Sequence, residues 1–470
     1  MPPPPPLPRA VGLVLLASAA LSLALACTFP LVDPDEGRNA EIAREMAAGG
    51  DVVIPHLAGM PYLDKPPGLF AAAAVCVRAL GDTPLAVRLP AILASLLTLL
   101  LLARAARELE GDRQALLATL FTASAPLFAG LAAYVIFDMP LAACVTAVWT
   151  LLARELADRP RPGRRAAMFV AVALGVLVKG PVMLAWAVGG SAAAALLLRA
   201  RAPLRWLAWA PGWLVVGALA GGWFALALRR HPEYARYAFV EESFERLTTG
   251  AFHRGQPAWF VPAVLVGGAL PWSLATFWRA PRTPGANVAA GFVLFAALFF
   301  TLSRSKLVTY LLPAIPALAY WAAECWARSR RGAAWLAAVA AFTPGLLVAG
   351  WAPLHARAAA SSGAPLARAL AGAATVRYEG CYSPGTDFLR GRTGTVVSAD
   401  GVPLTSNYVV RYRDALRRRG QWTLLTPGEA APQADAIVRE TRRAGSPPPG
   451  CVEVFRGPRF TAWRRAPAAR

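Results

Sequence analysis

The sequence predicts an all-α polytopic membrane protein with a small α/β domain at its C-terminal end. Three observations predict it. Of 470 residues 56% are hydrophobic and only 16% charged, against about 25% charged in soluble proteins, and the apolar residues gather in runs of membrane-spanning length. The arginines cluster in every second connection between those runs. After Trp351 the long runs stop, and short stretches rich in β-forming residues take over.

The first run, 11–29, follows a proline-rich start with a single Arg9 and reads as the first anchor. Its rival reading is a cleavable signal peptide, with Ala24-Leu25-Ala26 at suitable spacing. Further apolar segments lie at 85–103, 114–133, 139–153, 166–178, 181–198, 206–228, 258–277, 287–302, 307–323 and 333–351, which makes eleven candidate spans. Between them fall Arg104/Arg107/Arg113, Arg159/Arg161/Arg164/Arg165, Arg199/Arg201/Arg205, Arg279/Arg282 and Arg328/Arg330/Arg331. Short arginine-rich loops stay cytoplasmic, so the N-terminus is expected inside and the tail after Trp351 outside, facing the periplasm of an inner membrane. The net charge of +21 is then topology rather than a nucleic-acid face, and no nucleic-acid partner is expected.

The alternate connections face outward: 33–67, 134–138, 179–181, 229–257 and 303–306. Segment 166–178 is too short for the bilayer, about 20 Å of helix against roughly 30 Å of hydrocarbon. Polar turns below the membrane surface are tolerated only inside protein or around a wet cavity. Asp138, Lys179 and Lys306 are therefore expected to converge on a cavity open to the outer leaflet, where an ionisable residue is a functional candidate by default.

Composition divides the chain at residue 351: a membrane domain 1–351, with interfacial helices in its outer loop 33–84, and an extracytoplasmic domain 352–470. In the latter, β-type stretches at 375–381, 393–397, 422–425, 436–439, 451–455 and 460–464 surround a helix at 406–419. Six cysteines are scattered along the chain, and Cys381 and Cys451 could pair if this region is outside. Neither metal-type cysteine spacing nor a glycine-rich phosphate loop occurs, so ATP-driven transport has no support.

Only three of the 48 basic residues are lysine: Lys65, Lys179 and Lys306. Lysine is a compact point charge where arginine is a broad fork, so a lysine kept in an arginine-rich chain marks a place where the fork would not fit. In the first outer loop, Asp33-Pro34-Asp35-Glu36 precedes an amphipathic helix over 37–48, with Ile42 and Met46 one turn apart and Glu41–Arg44 as a surface pair; Gly49-Gly50 stops it. Asp35 and Glu36 would lie in the first turn, where the dipole favours carboxylates; they read equally as a plain N-cap acid and its neighbour. Asp64-Lys65, shortly after Tyr62, is held rigid by Pro66-Pro67, or is a solvated ion pair of small worth. Tyr310 falls one turn after Lys306. His253 reads as a loop residue, and Trp259 and Trp272 as parts of an interfacial aromatic belt.

The string from Asp33 to Phe70 closely resembles the first periplasmic loop of the membrane-embedded, lipid-phosphosugar-dependent glycosyltransferases, a group that includes aminoarabinose–lipid A transferases and bacterial protein O-mannosyltransferase relatives. The resemblance continues through FDMP at 137–140, VKGP at 178–181, HRGQPAWFVP at 253–262 and SKLVTYLLP at 305–313. It implies a GT-C fold and transfer of a sugar, with inversion, from a polyprenyl phosphate to a lipid, glycan or protein acceptor among the membrane lipids. It implies that Asp35 is catalytic, with Glu36 beside it. Lys65, Lys179, Arg246 and Arg38 would bind the donor phosphate, and Asp138, Tyr310, Lys306 and Tyr62 the substrates. Two departures stand out: Asp64 where many relatives have Glu, and Ser243 where they often have His or Asn. A divalent cation on Asp64, Glu242 and His253 would then be Mg²⁺, Mn²⁺ or Ca²⁺ rather than Zn²⁺; no metal at all is equally compatible.

Breaking a sugar–phosphate bond leaves negative charge on the phosphate, which preorganised cations stabilise. A hydroxyl acceptor needs a carboxylate base, and Asp35 is that candidate. A phosphate acceptor arrives ionised, and Asp35 would then stabilise charge on the sugar ring or orient the acceptor. The rival classes are a secondary transporter or lipid flippase and a non-catalytic scaffold; Asp35 is dispensable in either.

Overall fold

Proline decides how the apolar runs fold. In the computed structural model, which describes residues 6–245, 255–277, 279–328, 341–429 and 433–466, five helices are long and apolar enough to cross a membrane: Arg9–Thr28, Pro84–Glu110, Asp138–Ala157, Ala210–Arg230 and Pro284–Leu302. Other expected spans are broken. The run 114–133 is split into Asp112–Ala123 and Pro126–Leu131, and 258–277 into Phe260–Gly268 and a tight turn at Trp272–Thr276 behind Pro271. The run 307–323 opens as a tight turn, Val308–Ala314, before the helix Ile315–Ala327. Each break falls at a proline, which removes a backbone donor and crowds the preceding turn. Part of 333–351 lies outside the described residues.

The chain forms two compact units, residues 1–25 with 90–350 and residues 26–89 with 351–470. The first outer loop thus groups with the C-terminal region, a division that composition alone does not show.

In the first unit the helices pack through small residues. A Cβ on Gly291 would lie 2.5 Å from the backbone nitrogen of Ala194, so the helices Pro284–Leu302 and Val182–Leu198 approach backbone to backbone, as small residues permit in membranes. Aromatic side chains fill the rest: Trp149, Trp186, Trp206 and Trp272 are fully buried. Trp272 stacks on Phe121 at 3.8 Å and donates its indole N–H to Ser124. It is therefore core and not part of an interfacial belt, whereas Trp259 is exposed as expected.

The second unit contains all the strands among the described residues. β1 (His56–Leu57) and β2 (Met60–Pro61) form a hairpin whose two turn residues, Ala58 and Gly59, both have positive φ, as a two-residue hairpin turn requires. β3 (Val376–Glu379), β4 (Thr395–Val397), β5 (Ala436–Glu440), β6 (Cys451–Arg456) and β7 (Phe460–Arg465) make one sheet in the order β4-β3-β5-β7-β6. β3 runs parallel to β4 and β5, and β7 antiparallel to β5 and β6. The stretch 422–425 contributes a single bridge, Val397 to Leu425. The helix expected over 406–419 is two short helices, Asn407–Arg411 and Arg413–Arg418.

Cys381 and Cys451 are both free, so the pairing expected as an option is absent. Cys381 is buried and its thiol is pushed up to about 12 by that burial, while Cys451 is half-exposed. Outward placement of the tail therefore predicts that a variant retaining Cys451 alone reacts with an impermeant maleimide once the outer barrier is opened. Protection until the inner membrane is broken would place the tail on the cytoplasmic side.

Candidate functional site

The helix Asp35–Ala47 begins with two carboxylates that meet opposite surroundings. Asp35 keeps 62% of its side chain exposed and pairs with Arg38 at 2.8 Å. Arg38 also donates to Thr405 Oγ1 at 2.9 Å and lies 5.8 Å from the centre of the Tyr62 ring. Glu36 is fully buried, and both its oxygens accept from Arg88, at 3.0 and 2.7 Å. Arg88 spends its remaining donors on the carbonyls of Ala26, Phe29 and Pro30. A bidentate, desolvated pair of this kind fixes the helix start. One carboxylate is thereby left exposed and its neighbour is locked into the scaffold.

The other end of the helix is equally enclosed. Glu41 and Arg44, expected on the surface, form a buried bidentate pair at 2.7 and 2.6 Å that also bonds to Thr393. The helix face expected to meet water is covered by residues 391–393. Desolvation raises Glu41 above the ordinary carboxylate range, and raises Glu45 to about 7, although Glu45 accepts from the amides of Ala58 and Gly59. Asp33 accepts from Ser383 Oγ at 3.0 Å and the Gly385 amide at 3.2 Å, and burial still pushes it to about 6. A Cβ on Gly37 would collide with the Asp33 carboxylate, so this glycine is what lets the helix seat against the 383–385 turn.

Asp64 accepts from Ser406 Oγ and, at 3.2 Å, from the Tyr408 amide. It thus anchors the start of the helix Asn407–Arg411, whose N-cap is Ser406. Lys65 donates to the Asp64 carbonyl at 2.8 Å. With both its carboxylate oxygens so employed, Asp64 fits a positioning contact better than a metal ligand. Among the described residues no group of three or more His, Cys, Asp and Glu is placed to hold a metal. His253 and Arg246 lie outside the described residues. Ser243, in place of the expected imidazole or amide, donates to the Ala238 carbonyl at 2.6 Å; Glu242 lies in the same helical segment, Arg236–Glu245, of the first unit.

The first unit brings together three residues distant in sequence. Asp138 starts the helix Asp138–Ala157 and Lys179 ends the helix Pro162–Lys179. They form a close ion pair, and the Lys179 ammonium lies 4.6 Å from the centre of the Tyr310 ring, a cation–π contact. Lys306 is buried and makes no ion pair or hydrogen bond among the described residues.

Sequence reasoning missed Arg88, Thr405 and Ser406. Arg88 left a signal, since it sits inside the apolar run 85–103, where an ionisable residue marks a site or a partner. Thr405 left none, and Ser406 only that of a helix N-cap.

The chain is similar to several known proteins. A profile of the dolichyl-phosphate-mannose-protein mannosyltransferase family matches residues 64–223. The undecaprenyl phosphate-alpha-4-amino-4-deoxy-L-arabinose arabinosyl transferase of Edwardsiella ictaluri is 31% identical over 305 residues, covering 62% of this chain and 54% of that protein. A second arabinosyl transferase of the same description, from Sodalis glossinidius, is 32% identical over 350 residues, covering 68% of this chain and 60% of that protein. The chain thus spans little more than half the length of the curated relatives it matches. Among solved structures, ArnT from Cupriavidus metallidurans bound to undecaprenyl phosphate superimposes with a TM-score of 0.83 at 23% identity, over 97% of this chain and 98% of that one. The apo form of the same protein gives 0.79. The resemblance seen in the sequence and the GT-C fold it implied are both upheld, and the transporter or flippase alternative is not favoured.

Proposed function

From a membrane protein with the GT-C fold of a polyprenyl-phosphate-binding transferase, we infer that this chain is an inverting glycosyltransferase. It moves a sugar from a polyprenyl phosphate to an envelope acceptor at the outer face of the inner membrane; the relatives it resembles are named as arabinosyl transferases of undecaprenyl phosphate-alpha-4-amino-4-deoxy-L-arabinose. The observation that carries this reading is the split pair at one helix start: Asp35 exposed and charge-paired, Glu36 enclosed by Arg88.

In the step proposed, the bond between the anomeric carbon and the phosphate oxygen breaks and its electron pair leaves with the polyprenyl phosphate. An acceptor oxygen bonds to the opposite face of the ring. If that oxygen belongs to a hydroxyl, Asp35 takes its proton; if it belongs to a phosphate, Asp35 orients it and offsets positive charge on the ring. Arg38 holds the Asp35 carboxylate in one orientation. Lys65, Lys179, Lys306 and Arg246 are proposed phosphate contacts, and Tyr62, Asp138 and Tyr310 substrate-side contacts. No step runs through a metal.

The reading predicts that the purified chain releases polyprenyl phosphate from a polyprenyl-phosphate sugar in the presence of envelope lipids or glycans. No turnover with any such acceptor would overturn it. In the same assay Lys65→Arg and Lys179→Arg are expected to lose activity, because a larger planar fork displaces the phosphate, and small misplacements cost about 100-fold. Lys306→Arg is expected to lose comparably, since its site is enclosed. Full activity in all three would reduce the lysines to remnants of composition.

A further inference from the structure

Among the described residues three other than glycine have positive φ: Ala58 at 52°, Arg199 at 49° and Thr405 at 54°. Ala58 takes it in the hairpin turn, and Arg199 closes the helix Val182–Leu198 as a left-handed cap. Thr405 alone of the three is β-branched, and a branched side chain adopts this conformation only at a cost, because Cβ crowds the backbone. Glycine or asparagine would sit there more freely. Backbone held in such a state is over-determined by its surroundings, and it gathers where a function uses it.

Both neighbours pin the residue. Before it, the tight turn Val402–Leu404 closes with the Thr405 amide donating to the Val402 carbonyl at 3.0 Å, and Leu404 is buried. After it, Ser406 is buried, accepts from the Val409 amide at 3.3 Å and donates to Asp64. These anchors aim the Thr405 side chain at Arg38, within the same unit. Thr405 Oγ1 accepts from Arg38 Nη1 at 2.9 Å, while Nη2 of the same fork donates to Asp35 at 2.8 Å. Arg38 Nε has no hydrogen-bond partner among the described residues, so the two Nη atoms set how the fork is turned. A guanidinium is planar and rigid. Fixing Nη1 therefore fixes the direction from which Nη2 meets the carboxylate. Asp35 is 62% exposed and Arg38 only 14%, so what restrains the carboxylate is this fork rather than packing.

We propose that Thr405 is a positioning residue for the transfer step, turning the Arg38 guanidinium so that the Asp35 carboxylate is held in one orientation. The inference rests on the role proposed for Asp35. Thr405 makes and breaks no bond to the sugar; it acts through Arg38. The strained turn is then the means by which the C-terminal region reaches into the chemistry of a helix 367 residues earlier in the chain.

The test compares Thr405→Gly, Thr405→Ser, Arg38→Gln and the double variant Arg38→Gln/Thr405→Gly, each as full-length protein in detergent. Thr405→Gly removes the hydroxyl and relieves the backbone. It should melt no lower than the wild type, yet lose about 10- to 100-fold in kcat, the scale of a small misplacement, with KM for a polyprenyl-phosphate sugar little changed. Thr405→Ser keeps the hydroxyl and should recover most of the rate. In the Arg38→Gln background Thr405→Gly should add no further loss, because residues of one network are not additive. A second readout needs no turnover: carbodiimide labelling of Asp35, followed by mass spectrometry. Release of the fork should raise that labelling in Thr405→Gly and in Arg38→Gln, but not in Thr405→Ser. Unchanged Asp35 labelling in Thr405→Gly overturns the proposal whether or not the chain transfers sugar. Wild-type kcat in Thr405→Gly, a loss that comes with a lower melting temperature, or additive losses in the double variant overturn it too. A wild type that shows the labelling pattern but no transfer would count against the transferase reading alone.

Discussion

Asp35→Asn is expected to abolish transfer while leaving the protein folded and inserted. Asparagine keeps the shape of the side chain and one acceptor oxygen, so the 2.8 Å contact with Arg38 weakens rather than vanishes. The position is mostly exposed, and loss of an exposed ion pair costs about 1 kcal/mol or less. What the substitution removes is the negative charge and the basic oxygen, and a positioned base is typically worth about 10²–10⁴ in rate. The measurement is single-turnover transfer from a polyprenyl-phosphate sugar at matched, monodisperse protein. Wild-type rates in the purified variant would end the assignment of Asp35.

Arg88→Ala is expected to do the reverse: to cost the folded protein itself. It strands a fully buried Glu36 carboxylate and takes donors from the three carbonyls of Ala26, Phe29 and Pro30. Breaking a buried pair by removing one partner costs about 3–5 kcal/mol, a large part of the roughly 5–15 kcal/mol that holds a domain together. The expected result is loss of the monodisperse peak on detergent size exclusion, or a clear fall in melting temperature. Glu36→Gln/Arg88→Ala, which removes the stranded charge, should recover part of the loss. Equal stability of Arg88→Ala and wild type would show that the pair is not what fixes the helix start.

The two acids at a helix start and the Gly49-Gly50 stop were legible because capping signals are local. The meeting of Asp138 and Lys179 was legible because both close short apolar runs on the same side. The burial of Glu41 and Arg44 was not. Their spacing announces a pair, but the face that covers them comes from Thr393 and Gly391, about 350 positions away. Likewise Ser406 announces only an N-cap; that Asp64 meets it depends on a contact 342 residues long in sequence. The grouping of residues 26–89 with the C-terminal region is written in such contacts and not in composition, and for that reason the boundary drawn at residue 351 divides what the fold joins.

Those distances have a consequence in time. The Asp35–Ala47 helix leaves the ribosome early, yet Asp33 meets Ser383 and Gly385, Glu41 meets Thr393, Asp64 meets Ser406 and Arg38 meets Thr405. At about 5–20 residues per second, those partners are synthesised roughly 20 to 70 s later. Through that interval a helix with buried-type carboxylates waits at the membrane without the surfaces that neutralise it, and the chain that will complete it is still being inserted. Truncation before residue 383 would leave that wait permanent, so a chain shortened there is expected to lose the seating of this helix rather than to fold as a smaller enzyme.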